Sequence, residues 1–211
     1  MIDPACGSGH FLLGAFRRLL ERHRRADPQA KPRALVQRAL DAIHGIDVNP
    51  YAIAIARFRL LLAAMSAGGD RRLIDAPGYR LNLVCGDSLL VAPLVSGRER
   101  QVALDFEMTD DDGASHAYAS ENLAELKRLA AAGRYDCVVA NPPYITPKDK
   151  QLNEQYRKRF ATCHRQYSLA IPFFEQLFRL ARGGERAGFV GQITANSFMK
   201  REFGKKLIEQ W

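Results

Sequence analysis

The sequence predicts an α/β fold on a mostly parallel sheet. Short strand-like runs alternate with longer helix-like runs along 211 residues, the pattern of strands joined by crossover helices. Compact polar motifs follow four of the strand-like runs, where such sheets carry their ligands. The composition, 47% apolar and 26% charged, suits a globular domain and excludes a chain disordered throughout, a collagen and a disulfide-stapled miniprotein.

The elements follow in order. Met1 to Asp3 is the end of a strand, and Pro4 to Gly9 is a loop. His10 to Arg25 reads as a helix with Leu12, Ala15, Phe16, Leu19 and Leu20 on one face. Arg33 to Asp41 is a short helix, and Ala42 to Asp47 is the second strand. Asn49 caps a helix that has Pro50 at its first position. That helix, Tyr51 to Ala67, is apolar nearly all round except at Arg57 and Arg59, so it is expected to be deeply packed. Arg80 to Cys85 and Tyr135 to Ala140 are the third and fourth strands. A helix from Leu169 to Arg182, a strand from Ala187 to Ile193 and a helix from Phe198 complete the pattern. Residues 102–126 hold seven acids and no Lys or Arg, which reads as a solvated acidic insertion.

No unbroken run of about 18 apolar residues is present, so no membrane span is expected. The first residues lack the pattern of a signal peptide. Cys6, Cys85, Cys137 and Cys163 lie far apart, as isolated thiols of a cytosolic protein do, and neither they nor the histidines show metal-ligand spacing. The net charge of +8 favours a polyanionic partner, although 23 of the 31 basic residues are Arg, a usage that can also reflect a GC-rich genome.

Four constellations carry the chemistry. Asp3-Pro4-Ala5-Cys6-Gly7-Ser8-Gly9-His10-Phe11 is a glycine loop between a strand and a helix, and glycines allow a ligand to approach the backbone closely. It is neither G-x-G-x-x-G nor a phosphate loop, which disfavours NAD and ATP. Asp47 ends the second strand, where a carboxylate can accept both ribose hydroxyls. Asn49 is the better cap, leaving Asp47 free for that role. Asp87, in Cys85-Gly86-Asp87-Ser88-Leu89, can accept the exocyclic amine of an adenine. Asn141-Pro142-Pro143-Tyr144 is the most informative motif. Its prolines stiffen the backbone, leaving the Asn141 side-chain oxygen and the Pro142 carbonyl as acceptors for a planar amino group. Tyr144 offers a face on which a flipped base can stack. The basic segment from Lys148 to Arg165 is expected to track phosphates beside that base.

In this order DPACGSGHF, IDVNP, CGDSL and NPPY resemble the motifs of the adenine-specific (N6) DNA methyltransferases that use S-adenosylmethionine. HGIDVNPYAIAIARFRL and QITANSFMKREFGKKLIE look most like the long methylases of phage-exclusion systems, the BREX or phage growth limitation type. The resemblance implies a Rossmann-like methyltransferase core and S-adenosylmethionine as cofactor. Asp3, Pro4, Ala5, Cys6, Gly7, Gly9, Phe11, Asp47 and Asp87 would contact it, and Asn141, Pro142, Pro143 and Tyr144 would form the catalytic motif. It also implies double-stranded DNA as substrate, other phage-defence proteins as partners, no membrane partner, no metal and a cytoplasmic location.

The family has seven strands, whereas one short strand and four whole ones are readable here. The chain is therefore expected to be a partial catalytic domain over residues 1–211, truncated at both ends and without a target-recognition domain. Tyr167-Ser168-Leu169 stands where relatives often carry an Asp-Leu-Tyr-like stretch. Alternatives are a catalytically silent fragment, a protein glutamine methyltransferase and an N4-cytosine methyltransferase.

Overall fold

The computed structural model describes residues 1–92, 120, 122–196, 199 and 204–210. Five parallel strands form one sheet in the order β3-β2-β1-β4-β5. They are β1 (Ile2–Asp3), β2 (His44–Asp47), β3 (Asn82–Cys85), β4 (Cys137–Ala140) and β5 (Phe189–Gln192). Ile2 pairs with His44 on one side and Val138 on the other. Asp47 lies opposite Cys85, and Ala140 opposite Gln192. The chain moves outward from β1 through β2 to β3, then crosses to β4 on the other side. That reversal opens a crevice at the carboxyl ends of the central strands.

Alternate residues of each strand face opposite layers. On one face Leu83 and Cys85 meet α1 (His10–Ala26), α2 (Pro32–Asp41) and α3 (Pro50–Gly68) through Leu12, Phe16, Leu40, Ile53, Ala56 and Leu60. On the other, Ile2, Ile46, Val84 and Val138 meet α4 (Leu123–Leu129) and the helix Ala170–Leu180, through Leu126, Leu129, Leu177 and Leu180. A third cluster joins Leu89 to α5 (Lys150–Arg159), the Ala170–Leu180 helix, designated α6, and α7 (Lys205–Gln210), through Tyr156, Phe160, Tyr167, Phe173 and Leu207.

Local chemistry sets the helix ends. Asn49 Oδ1 accepts the Tyr51 and Ala52 amides, and Pro50 opens α3. Asp149 caps α5 through the Leu152 amide. This helix falls in the basic segment that the sequence left without an element. The Asp149 cap and the polar helix-formers after it were its signal.

α3 is not packed all round. Ile53, Ala56, Leu60 and Ala64 form its buried stripe, while Tyr51, Ile55, Phe58 and Leu62 stand exposed, because the sheet and α2 meet only one side of it. At 19 residues, with a mean hydropathy of 1.4, it is long and apolar enough to cross a membrane. A search for unbroken apolar runs misses this because two arginines interrupt it. Both are used in the fold: Arg57 donates to the Leu83 carbonyl and Arg59 to the Ser8 carbonyl. Most of the acidic insertion, residues 102–119 and 121, lies outside the described residues. Its end forms the start of α4, capped by Asn122 through the Glu125 amide. Of the helix expected from Phe198, residues 198, 200–203 and 211 lie outside the description, and Lys205–Gln210 is helical.

Ile2 is fully buried at the centre of the sheet. Ile2→Ala is expected to cost about 2–4 kcal/mol through lost burial and a residual cavity, lowering Tm by about 5–15 °C in a thermal melt.

Candidate active site

The glycine loop between β1 and α1 is held by one local hydrogen bond and several from distant parts of the chain. Asp3 Oδ1 accepts the Ala5 amide at 3.1 Å, closing the first turn. The Cys6 amide donates to the Ile46 carbonyl at 2.9 Å, which seats the loop on β2. The Cys6 thiol is buried against Gly45, where a Cβ would lie 2.8 Å from Leu12 Cδ1 and 3.0 Å from the sulfur. Only glycine at 45 lets the loop come so close. Gly7 is left-handed at φ +51°, and its amide donates to Asp47 Oδ2 at 2.8 Å. Arg59 holds the next residue by donating to the Ser8 carbonyl at 2.8 Å and its hydroxyl at 3.2 Å.

Asp47 is therefore not free in the structure. Asn49 caps α3 as expected, yet Asp47 Oδ1 accepts the Asn49 amide and Oδ2 accepts the Gly7 amide. The parallel pairing of β1 with β2 brings the two loops within reach of one carboxylate. Each carboxylate oxygen still has a second lone-pair direction.

The turn after β3 is locked from three sides. The Gly86 amide donates to the Asp47 carbonyl, and Ser88 Oγ donates to the Pro4 carbonyl at 2.8 Å. Gln176 of α6 donates to the Ser88 carbonyl at 3.1 Å. Asp87 Oδ1 accepts the Leu89 amide at 2.8 Å, and Oδ2 accepts the Tyr156 hydroxyl. Asp87 is only 4% exposed.

Asn141 follows β4 directly, and its Oδ1 accepts the Tyr144 hydroxyl at 2.7 Å. Tyr144 is half exposed. The segment after it is tied to α6 by the Leu169 amide, which donates to the Ile145 carbonyl at 2.8 Å.

These pieces open onto one cavity of about 850 Å³. Of the residues singled out in the sequence, Pro4, Ala5, Gly7, Asp47, Asp87, Asn141 and Pro143 line it. Asp3, Cys6, Gly9, Phe11, Pro142 and Tyr144 are not among its lining residues. Asp3, Cys6 and Pro142 are buried in the fold, and Gly9, at φ +82°, caps α1. Leu89, Leu152, Tyr156, Leu169 and Phe173 form apolar wall that sequence reasoning missed. The four-residue spacing of Leu152 and Tyr156 on a helix face was their one signal. The size, apolar wall and few convergent polar groups are those of a small-molecule site. A nucleoside joined to an amino acid fits these residues, with open space above Gly7 and acceptors at Asp47 and Asp87.

Burial governs the ionisation of the site. It raises the Asp3 carboxyl to about 7, with the Ala5 amide opposing the shift and Asp47 adding to it. It also raises Asp87, against the Tyr156 hydroxyl, the Leu89 and Leu90 amides and Arg159. The Cys6 thiol is pushed far up by burial, which makes it inert as a nucleophile. Among the described residues no three His, Cys, Asp or Glu side chains converge on a metal position.

The basic segment is divided in use. Arg159 is buried and donates to the Leu90 carbonyl at 2.7 Å and to Gln155, so it cannot track phosphates. Arg157 donates to the Cys163 carbonyl and lies over the Tyr167 ring. Lys148 and Lys150 are exposed.

Residues 41–210 match the family model of the Eco57I restriction-modification methylase, and residues 1–73 match that of the MmeI DNA-methyltransferase domain. The chain is 49% identical to the adenine-specific methyltransferase PglX of Streptomyces coelicolor, over 99% of this chain and 18% of that protein. It is 27% identical to the type II methyltransferase M.PaeR7I of Pseudomonas aeruginosa, over 98% of this chain and 29% of that protein. A solved structure of the type ISP restriction-modification enzyme LlaGI, in complex with a DNA substrate mimic, shares the fold. Its TM-score is 0.60 at 16% identity, covering 98% of this chain and 16% of that one. The chain thus spans less than a third of the length of these proteins.

Asp3 yields a pH-dependent cost. Its folded pKa of about 7 lies above the ordinary carboxylate value, so the folded state holds the proton more tightly. The contribution of Asp3 to stability should fall as pH rises from about 4 to about 7, then level off, while His44, lowered to about 4 by burial, acts in the opposite sense over much of that window. Asp3→Asn keeps an acceptor for the Ala5 amide and removes the Asp3 titration. Thermal melts should show the stability of the variant relative to the parent growing across that window, to a gain of about 2–4 kcal/mol above it.

Proposed function

The chain belongs to the Eco57I restriction-modification methylase family, and from that premise we propose that it is the catalytic part of a DNA adenine methyltransferase. The cofactor would be S-adenosylmethionine and the product N6-methyladenine in duplex DNA. The observation that carries this reading is one cavity in which the glycine loop and Asp47 stand at one side and Asn141 at the other. The relatives support the choice of base, since PglX is named an adenine-specific methyltransferase. They also support a setting in phage defence or restriction-modification; a cytoplasmic location and other proteins of such a system as partners are proposed with it.

When bound, S-adenosylmethionine supplies an activated sulfonium methyl group. The residues of the chain do the rest by binding and orientation. Pro4, Ala5 and Gly7 present backbone to the amino-acid end, while Asp47 accepts from the ribose hydroxyls and Asp87 from the base amine. Asn141 Oδ1, with the Pro142 carbonyl, accepts the protons of the target amine and keeps its lone pair available for in-line attack. The Tyr144 hydroxyl donates to Asn141 Oδ1 in the structure. An incoming amine replaces that donor, and the released ring is then placed to stack on the flipped base. No strong base is needed, because the leaving group is already activated. Lys148 and Lys150 would meet phosphates beside the flipped base.

Calorimetry with S-adenosylmethionine should show one site, weakened at least about tenfold by Asp47→Ala through loss of charge-assisted hydrogen bonds. Absence of binding to the parent chain would overturn the reading. Asn141→Ala should leave that affinity within about threefold while lowering methyl incorporation into duplex DNA by at least about 100-fold, the usual scale for losing a positioning acceptor. Undiminished incorporation would refute the role of Asn141.

A further inference from the structure

The turn after β3 and helix α5 meet at the base end of the cavity. Asp87 and Tyr156 both line the cavity, yet they are 4% and 3% exposed. Tyr156 donates its hydroxyl proton to Asp87 Oδ2, while the Leu89 amide donates to Oδ1. One turn further along α5, Arg159 donates to the Leu90 carbonyl. The helix is thus bound to this turn at two points, one of them the carboxylate itself.

We propose that Tyr156 is a positioning residue for the cofactor: its hydroxyl holds the Asp87 carboxylate as an acceptor turned towards an exocyclic amine. The proposal rests on the cofactor reading given above. A carboxylate has about four lone-pair directions, of which the Leu89 and Leu90 amides and the Tyr156 hydroxyl take up to three. A remaining one can take an N–H from a purine amine. A protonated carboxyl is different, because its own O–H would confront the amine donor and the acceptor would be lost.

Burial favours that protonated form, and the Tyr156 hydroxyl is the foremost opposing influence. Besides Arg159, α5 carries Lys150, Glu154, Arg157 and Lys158, and α6 carries Glu175 and Arg179. Arg159 of α5 favours the ionised form. Asp47 ends β2, Asp3 ends β1, and Lys148 and Asp149 belong to the segment after Asn141. Removing the hydroxyl leaves burial opposed by Arg159 and two amides alone, so Asp87 should take up a proton at a higher pH than before. Affinity would then depend on pH, and a hydroxyl that merely packs would not produce this effect.

The test is Tyr156→Phe, with the Kd of S-adenosylmethionine measured by calorimetry from about pH 5.5 to 8.5. The ratio of variant to parent Kd should rise towards the acid end of that range and approach unity at the alkaline end, since loss of the hydroxyl moves protonation of Asp87 to higher pH. In Tyr156→Phe combined with Asp87→Asn, which cannot titrate, the ratio to Asp87→Asn alone should be flat. A loss equal at every pH, or one that remains pH-dependent in the double variant, overturns the proposal while leaving the cofactor reading intact. A parent chain that does not bind S-adenosylmethionine overturns both. Should Tyr156→Phe not fold, the same Kd ratio measured with Tyr156→Met, alone and combined with Asp87→Asn, decides with the same outcomes.

Discussion

The molecule hangs on the shortest strand of its sheet. β1 consists of Ile2 and Asp3, yet it lies between β2 and β4 and is the only hydrogen-bonded link between the two halves of the described sheet. Ile2 fills the centre of one core layer, and Asp3 closes the turn that starts the glycine loop. Because β1 is the point at which the chain reverses its direction of growth, the loops after β1 and β4 separate over it. The cavity occupies that separation. A small piece of backbone therefore defines both the middle of the core and the position of the site.

The site is assembled by the same hydrogen bonds that hold the fold. Asp47 joins the glycine loop to the start of α3, and Ser88 joins the β3 turn back to Pro4. Gln176, Tyr156 and Arg159 bring in the helices of the other layer. Most of these bonds are screened from water, where a satisfied polar network gives rigidity and an unsatisfied one is costly. The arginines of α3 show the same economy. They sit in an otherwise apolar helix, yet one supports β3 and the other supports the glycine loop. Asn141 and Tyr144 are the exception, being exposed and bonded to each other; in the proposed mechanism they exchange partners when the target base enters.

Much of this was legible in the residues. The five strands fall within the runs read from apolar β-branched segments, and the Asn49-Pro50 start of α3 is as its chemistry requires. The glycine loop, Asp47, Asp87 and Asn141 do converge, because parallel strands put every such motif on one sheet edge. Three things were not legible. α5 was hidden in a charged segment, since its buried side includes Arg159, a residue that pattern reading assigns to solvent. α3 leaves Tyr51, Ala54, Ile55, Phe58 and Leu62 exposed, because composition does not say how many layers cover a helix. Asp47 is bonded to Gly7, a partner 40 residues away, which no local pattern can supply.

By itself the sequence determined the order of strands and helices, the parallel α/β class and the identity of the chemical groups at each strand end. Those follow from periodicity, capping and turn chemistry, all of which act over a few residues. Only the tertiary structure decided which of those groups face the cavity and which are spent on holding it. Asp3 and Cys6 are buried away from the cavity, Pro4 and Gly7 line it, and Tyr156 arrives from another helix to meet Asp87. The reason is that burial and long-range hydrogen bonding depend on which layers meet, and that is settled by packing across the whole sheet rather than along the chain.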